Sequence, residues 1–497
     1  MGLGRCAYIG DLASTTVAAL AAPHLNVELL DEDIQEIDFD HPAEFVGITG
    51  TYLNYRRMIF LADEFRRRGK IVLMGGPFVS MSPARVRDHC DILVQGELED
   101  IGGQLFDDLA RNDWSTHYCG TRPNLENCPV PRWDLYPNSH AICGALQASR
   151  GCPHNCEFCD VIHYLGRHQR YKTTAQVWRE LDNLYHHGYR SVFLSDDNFI
   201  GHRSKAGELV EAMGTWNRQR ENGRVSFITQ LSIDVACDTE LLMNLANAGI
   251  DMVFVGIETP NKDSLQQSNK VQNLKMDLGE AVERCVGNGI AIMAGIMVGF
   301  DGDGPDIFRR QADFINQLPL PICMIGAVEA LDGTDLRARL EKEGRLTEMS
   351  EGFDNGMGAT PWRTNILPLQ MSQRALLQGM LWLYNNVYSV EAFGQRLLRF
   401  IDVYGREGLP STAGRQAFTP VLHEANMDVI RVARYFVSLG PAELMWWGRL
   451  CRGLRQKPGA SRLVLGMIVN YLQVRHMLHK CNLWQPDLAG RDPFQEL

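Results

Sequence analysis

The sequence predicts an α/β fold followed by a mostly helical C-terminal region, and three observations carry this. Residues 5–110 alternate short apolar strands with amphipathic helices. A longer alternation of the same kind starts near residue 141. Beyond residue 335 the strand patterns fade and helical periodicity takes over. Strict alternation of strand and helix implies parallel sheets covered by helices.

In the first alternation RCAYIG, NVELL, EFVGITG, KIVLMGG and CDILVQG read as strands, and 52–68 and 82–89 read as helices. Together they predict a Rossmann-like domain over residues 1–118. Pro123, Pro129, Pro131 and Pro137 mark 119–140 as a linker. In the second alternation the strands are GALQAS, RSVFLSDD, RVSFITQLS, DMVFVGIE, IAIMAGIMVGF and ICMIGAVEA, with long helices between them, such as 174–188 and 277–289. About six such units over 141–335 predict a (β/α)6 barrel or an open part of one, with its active site at the C-terminal strand ends. Residues 336–497 form the helical domain.

A chain of 497 residues suits two or three domains. It has no apolar run of membrane-spanning length, and its start, MGLGRCAYIGDLAST, lacks a signal peptide's apolar core. Both features point to the cytoplasm, where thiols stay reduced. A net charge of −11 argues against a nucleic-acid partner. Residues 431–480 depart from this balance, with nine Lys and Arg against one acidic residue, Glu443.

The stretch SRGCPHNCEFCDV concentrates three of the thirteen cysteines, Cys152, Cys156 and Cys159, directly after the first barrel strand. A structural zinc site takes four ligands, and no fourth stands at finger-like spacing, although His154 and His163 are near. Three thiolates suit a [4Fe–4S] cluster with one iron open to another ligand. Gly151 and Pro153 let the loop wrap a compact inorganic core.

Cys152, Cys156, Phe158 and Cys159 spell C-x3-C-x-aromatic-C, and here the sequence resembles the radical S-adenosylmethionine (SAM) enzymes. The resemblance implies that the open iron chelates SAM and that one electron from the cluster cleaves it to a 5′-deoxyadenosyl radical, with Phe158 packing on the adenine. It implies an electron donor such as flavodoxin or ferredoxin. In LSDDNF, Asp196, Asp197 and Asn198 stand where the family places acceptors for the SAM ammonium. The usual motif there is Gly-Gly-Glu, so this is a variant, and a helix N-cap is the alternative reading. Thr229, Gln230 and Ser232 of FITQLS stand where ribose hydroxyls would be held, and Gly256 and Glu258 of FVGIETPN end another strand.

The first domain resembles the cobalamin-binding domain that precedes many radical SAM barrels. Gly75, Gly76, Pro77 and Phe78 match its glycine loop, Thr49, Thr51 and Tyr52 the preceding loop, and Gly96 and Glu97 the following one. A double glycine is explained equally well by an ordinary turn. The cobalt-ligating histidine of the Asp-x-His-x-x-Gly motif has no counterpart in GDLAST.

LDGTDLRARLEKEGRL and NILPLQMSQRALLQGMLWLYNNVYS resemble the C-terminal extension of a subgroup that includes hopanoid 2-methyltransferase and bacteriochlorophyll side-chain methyltransferases. The resemblance spans about residues 5–405. It implies a C-methyltransferase acting on an unactivated carbon of a hydrophobic small molecule, an isoprenoid lipid or a tetrapyrrole. Such a carbon has no lone pair to attack SAM, so a radical removes a hydrogen atom and methylcobalamin delivers the methyl group. A cyclase or oxidoreductase without methyl transfer, and a non-catalytic iron–sulfur redox sensor, are the alternatives. In PAELMWWGRLCRGLRQ, Leu444, Trp447, Cys451 and Leu454 share a helical side. With Trp446 and the apolar stretch near residue 465 they give either a peripheral contact with the inner membrane face or ordinary packing.

Overall fold

The computed structural model describes residues 5–347, 363–408 and 424–490. The chain forms two compact units. The first takes in residues up to Asn155, Cys159–Gln230 and Leu331–Asp335; the second takes in Cys156–Phe158, Leu231–Ala330 and the residues from Leu336 on.

In the first unit, strand β1 (Ala7–Ile9) precedes a parallel four-stranded sheet of β2 (Phe45–Thr49), β3 (Ile71–Gly75), β4 (Ile92–Gln95) and β5 (His117–Cys119), in that order. Two apolar layers cover this sheet. Met58, Ala62, Phe65 and Phe78 lie in one; Leu105, Phe106 and Tyr118 lie in the other. β6 (Ala141–Leu146) pairs in parallel with β1 and with β9 (Ser191–Leu194), and β9 pairs with β10 (Ser226–Gln230). The two-residue strands β7 (Ser149–Arg150) and β8 (Arg170–Tyr171) form a short antiparallel ladder.

Four elements differ from the sequence reading. RCAYIG is a strand, but it joins β6, Ala7 opposite Ala141, and not the sheet of the first domain. NVELL is not a strand: Val27 packs on the core while Leu30 stays exposed, and no neighbour pairs with it. The expected sheet is completed instead by β5, whose three residues bury only Tyr118, too little for a visible period. Residues 82–89 are two 3₁₀ turns, Pro83–Arg85 and Arg87–His89, and the preceding helix is Pro77–Met81. Pro83 cannot donate the backbone bond that would continue that helix.

The second unit holds β11 (Ile250–Glu258), β12 (Ala291–Val298) and β13 (Ile322–Ala327), parallel and in that order. All six strands of the second alternation are present, with helices between them, as in a partial barrel. Asp277 caps the helix Leu278–Gly287, which buries Ala281, Val282 and Cys285 against the sheet. The C-terminal helices include Gln373–Val387, Val390–Val403, Pro441–Gln456 and Ser461–Lys480.

The tail packs differently from the expectation. The buried side of Pro441–Gln456 is Glu443, Trp446 and Leu450, whereas Leu444 is exposed and Trp447, Cys451 and Leu454 are half-buried. Trp446 lies over Gly394 and donates to Glu391 Oε2 at 3.2 Å. Arg475 pairs with Glu443, so this carboxylate is not left unpaired in the interior. In Ser461–Lys480, Leu463, Val464, Met467, Ile468 and Tyr471 also face inward. The apolar stretch near residue 465 is therefore spent largely on packing, whereas the side of Leu444, Trp447, Cys451 and Leu454 stays exposed or half-buried. No helix among the described residues is long and apolar enough to cross a membrane.

Candidate active site

The cysteine loop begins on a backbone that admits only glycine. Gly151 has φ +95°, and a Cβ there would lie 2.9 Å from the carbonyl oxygens of Gly166 and His168. Its N–H donates to Asp197 Oδ2 at 2.9 Å, and Cys152 N–H donates to Gly166 O at 3.2 Å. Asn198 Nδ2 lies 3.9 Å from Cys152 Sγ. Cys152 and Cys159 are half-buried.

In the second unit, Cys156 is buried and Gln272 Nε2 lies 3.4 Å from its sulfur. Phe158 packs on Phe300 at 5.8 Å between centroids, with the Lys270 ammonium 5.7 Å from its ring. A cavity opens beside these rings, walled by Gly299, Val328 and Ile366 and rimmed by Asp301 and Arg339. Among the described residues no three His, Cys, Asp or Glu side chains gather as around one metal ion. A four-iron cluster asks for something else, since each thiolate binds a different iron. In the first unit Cys152 with the Gly151 turn and the Asn198 amide, and in the second Cys156 with the Gln272 amide, are residue types that such a cluster takes.

The acidic side chains divide into distinct roles. Asp196 is fully buried and accepts from Ala148 N–H at 3.1 Å and Ser149 Oγ at 2.5 Å, tying β9 to the chain ahead of the cysteines. Burial lifts Asp196 to about 7 despite these bonds, and Asp197 to about 6. Gln230 is half-buried at the end of β10, where its carbonyl accepts from Phe199 N–H. Thr229 is buried, and its hydroxyl donates to Leu194 O. Ser232 donates to Asp234 Oδ1 at 2.6 Å, and Asp234 also pairs with Lys275. Glu258 is buried at a register shift beside Gly256, with φ +63° and its carboxylate 2.7 Å from Lys270 Nζ. A non-glycine residue in that region costs about 1–2 kcal/mol and is held there by its surroundings.

On the first sheet, Gly76 has φ +99°, and a Cβ on it would lie 2.5 Å from Thr49 Oγ1. Gly75 ends β3 beside it, and Pro77 begins the next helix. The two glycines leave a bare backbone edge at the carboxyl ends of the strands, where open α/β sheets bind ligands. Thr51 caps the turn Tyr52–Asn54, Tyr52 stacks on Tyr55, and Phe78 is buried beneath both. Gly96 N–H donates to Ser80 Oγ, which itself donates to Gly76 O, both at 2.9 Å. Glu97 is buried and binds Arg150 and Arg170, each at 2.6 Å. The bare edge and its laced loops fit a broad planar ligand lying on backbone. In GDLAST, Asp11 caps the helix Leu12–Ala21.

Sequence reasoning missed several of these groups. Arg150 also pairs with Glu99 at 2.6 Å; burial pushes the Glu99 carboxyl up, but Arg150 outweighs it and holds it below the usual range. Ser82 and Arg85 hold Asp332 of LDGTD at 2.6 and 3.0 Å. Arg339 binds both oxygens of Glu157, between Cys156 and Phe158, at 2.6 and 3.0 Å, and reaches Asp301 at 2.7 Å. Their only sequence signal is a polar side chain in a loop, in a 3₁₀ turn, in the two-residue strand β7 or, for Arg339, in the helix Asp335–Lys342.

The Radical SAM superfamily profile matches residues 146–315, and a domain of unknown function, DUF4070, matches 334–483. An uncharacterized methyltransferase of Synechocystis sp. is 34% identical over 71% of this chain and 67% of its own length. The hopanoid C-2 methylase of Rhodopseudomonas palustris is 32% identical over 68% of this chain and 66% of its own length. The structure of OxsB, a cobalamin-dependent S-adenosylmethionine radical enzyme with aqua-cobalamin and S-adenosylmethionine bound, superposes with a TM-score of 0.59 at 16% identity, covering 96% of this chain and 78% of that one. That likeness supports the fold; together with the sequence matches it shows that the chain belongs to the radical SAM superfamily of enzymes, among the relatives of the hopanoid C-2 methylase.

Proposed function

We propose that this chain is a cobalamin-dependent radical SAM C-methyltransferase acting on an unactivated carbon of a hydrophobic substrate, an isoprenoid lipid or a tetrapyrrole. One observation carries the reading: Glu97, on a loop of the bare sheet edge, is ion-paired with Arg150, two residues before Cys152. A corrin on that edge and a cluster on the cysteines would then share one buried support. When bound, the cluster with SAM would supply a hydrogen-abstracting radical, and the corrin a transferable methyl group.

The chain's own residues would hold and orient these groups. Cys152, Cys156 and Cys159 would ligate the cluster, and Phe158 with Phe300 would wall the SAM adenine. Asp197, Asn198, Gln230, Ser232 and Glu258 would border SAM, while Asp196 would fix the loop behind it. The loops of Thr49 to Tyr52, of Gly75 to Phe78 and of Gly96 would carry the corrin on backbone, with Phe78 and Glu97 acting from beneath. The corrin-binding domain would span 1–118, the barrel 141–335 and the helical domain 336–497, with 119–140 as the linker. The electron would come from a donor such as flavodoxin or ferredoxin in the cytoplasm. A peripheral membrane contact would rest on exposed Leu444 and Met445 with Arg449 and Arg452, and flotation with anionic liposomes at low and high salt tests it.

The protein made without oxygen should contain four irons and one corrin per chain. Replacing Cys152, Cys156 and Cys159 together by Ala should remove the iron and all SAM cleavage while the corrin stays. SAM cleavage by that variant would refute the proposal.

A further inference from the structure

We infer that Gln272 raises the reduction potential of the iron–sulfur cluster by donating an amide hydrogen bond to the sulfur of Cys156. The inference rests on the reading that Cys152, Cys156 and Cys159 ligate a [4Fe–4S] cluster.

Gln272 is 3% exposed, and its Nε2 lies 3.4 Å from Cys156 Sγ. Its Oε1 is buried without a hydrogen-bond partner. An orphaned amide oxygen in the interior is unfavourable, and Leu or Met would fill similar space without it. The polar end therefore serves its other atom, whose partner is a cysteine sulfur.

The turn carrying Gln272 is fixed on both sides. Lys270 Nζ lies 2.7 Å from Glu258 Oε1. Asn273 Nδ2 donates to the carbonyls of Gly256 and Ile257 at 3.0 and 2.9 Å. Glu157 N–H donates to Ser268 O at 3.0 Å, which ties the cysteine loop to the end of the helix Lys262–Gln267 that leads into this turn. The donor is thus held in place before any cluster is present. Lys270 is spent on Glu258, so the group at the sulfur is a neutral amide with no ionisable proton.

Reduction adds one electron from an external low-potential donor, [4Fe–4S]²⁺ + e⁻ → [4Fe–4S]⁺; no bond breaks and no proton moves. Part of the added negative charge falls on the thiolate sulfurs. An N–H···S bond is then stronger in the reduced state, and hydrogen bonds to the sulfurs are among the factors that set cluster potentials. Asn198 stands 3.9 Å from Cys152, so Gln272 is the closer of the two amides.

A redox titration of the reconstituted full-length protein, followed by electron paramagnetic resonance, tests this. Gln272→Leu should make reduction roughly tenfold less favourable, a midpoint about 59 mV more negative for a one-electron couple. A variant with wild-type iron content and an unchanged midpoint overturns the inference. Should the variant hold no iron, pulsed resonance on the reduced wild type decides: an amide-nitrogen coupling supports the inference, and its absence overturns it. A wild-type chain that assembles no four-iron cluster overturns the cluster reading as well, which separates the two failures.

Discussion

The guanidinium of Arg150 lies 2.6 Å from the carboxylate of Glu97, with the Glu97 side chain 2% exposed and the Arg150 side chain 14%. Arg150 also binds Glu99 at 2.6 Å, so one cation serves two buried acids. Removing one partner from such a network leaves uncompensated charge in the interior. Arg150→Ala should destabilise the protein by about 3 kcal/mol. Urea unfolding measures this, and a change within error of zero would show that the network is relaxed by water.

Gly76 provides a local test of the sheet edge. Its φ of +99° and the Thr49 hydroxyl leave no room for a side chain. Gly76→Val should cut corrin retention at least tenfold, because the backbone must shift and the side chain would occupy the edge. Iron content should stay at the wild-type level. Corrin absorbance beside an iron assay reads both, and loss of iron with retained corrin would reverse the assignment.

Asp301 predicts a pH dependence. Burial pushes its carboxyl up, but hydrogen bonds from Arg345 and then Arg339 outweigh burial and hold it below its ordinary value of 3.8. A carboxyl depressed on folding adds stability that is full above its unfolded value and fades as the pH falls through the folded one. Asp301→Asn should therefore cost about 2 kcal/mol at pH 7. The gap to wild type should close below about pH 3.8. A gap independent of pH would show that the second acceptor oxygen facing Arg345 and Arg339, not the charge, is what Asn fails to supply.

The lower face of the corrin should lack a histidine from the usual motif, since the GDLAST turn offers Asp11 as a helix cap and no imidazole. Electron paramagnetic resonance of the cob(II)alamin form should show no axial nitrogen splitting. A resolved nitrogen triplet would mean that a nitrogen base, a histidine from elsewhere in the chain or the cobalamin's own benzimidazole, ligates the cobalt.

Much of the barrel was legible because its strands are long and apolar. IAIMAGIMVGF, for instance, buries six of the eight residues of Ala291–Val298. β1 was legible as a strand but not as a partner of β6, since three residues carry no mark of the sheet they join. β5 escaped notice because only Tyr118 of its three residues faces the core. At the site, the cysteine spacing and the glycine loop were readable because backbone chemistry restricts those residues. Arg339, Gln272 and Lys270 were not, because a polar side chain does not name a partner far along the chain: Gln272 lies 116 residues from Cys156, and Arg339 lies 182 from Glu157. The buried side of the tail helix was not legible because Trp446 and Leu444 sit two residues apart, on opposite sides of one helix surface.

The most direct test of the account is isotopic. The anaerobic, cobalamin-loaded protein would receive SAM labelled with three deuteriums on its methyl group, a low-potential reductant, and a lipid and pigment extract from cells lacking the gene. The account predicts one hydrophobic product carrying an intact trideuteromethyl group on carbon, formed together with 5′-deoxyadenosine. A product that loses hydrogen or gains oxygen and carries no deuterium, formed with the same 5′-deoxyadenosine, would contradict methyl transfer and make the chain a radical SAM cyclase or oxidase.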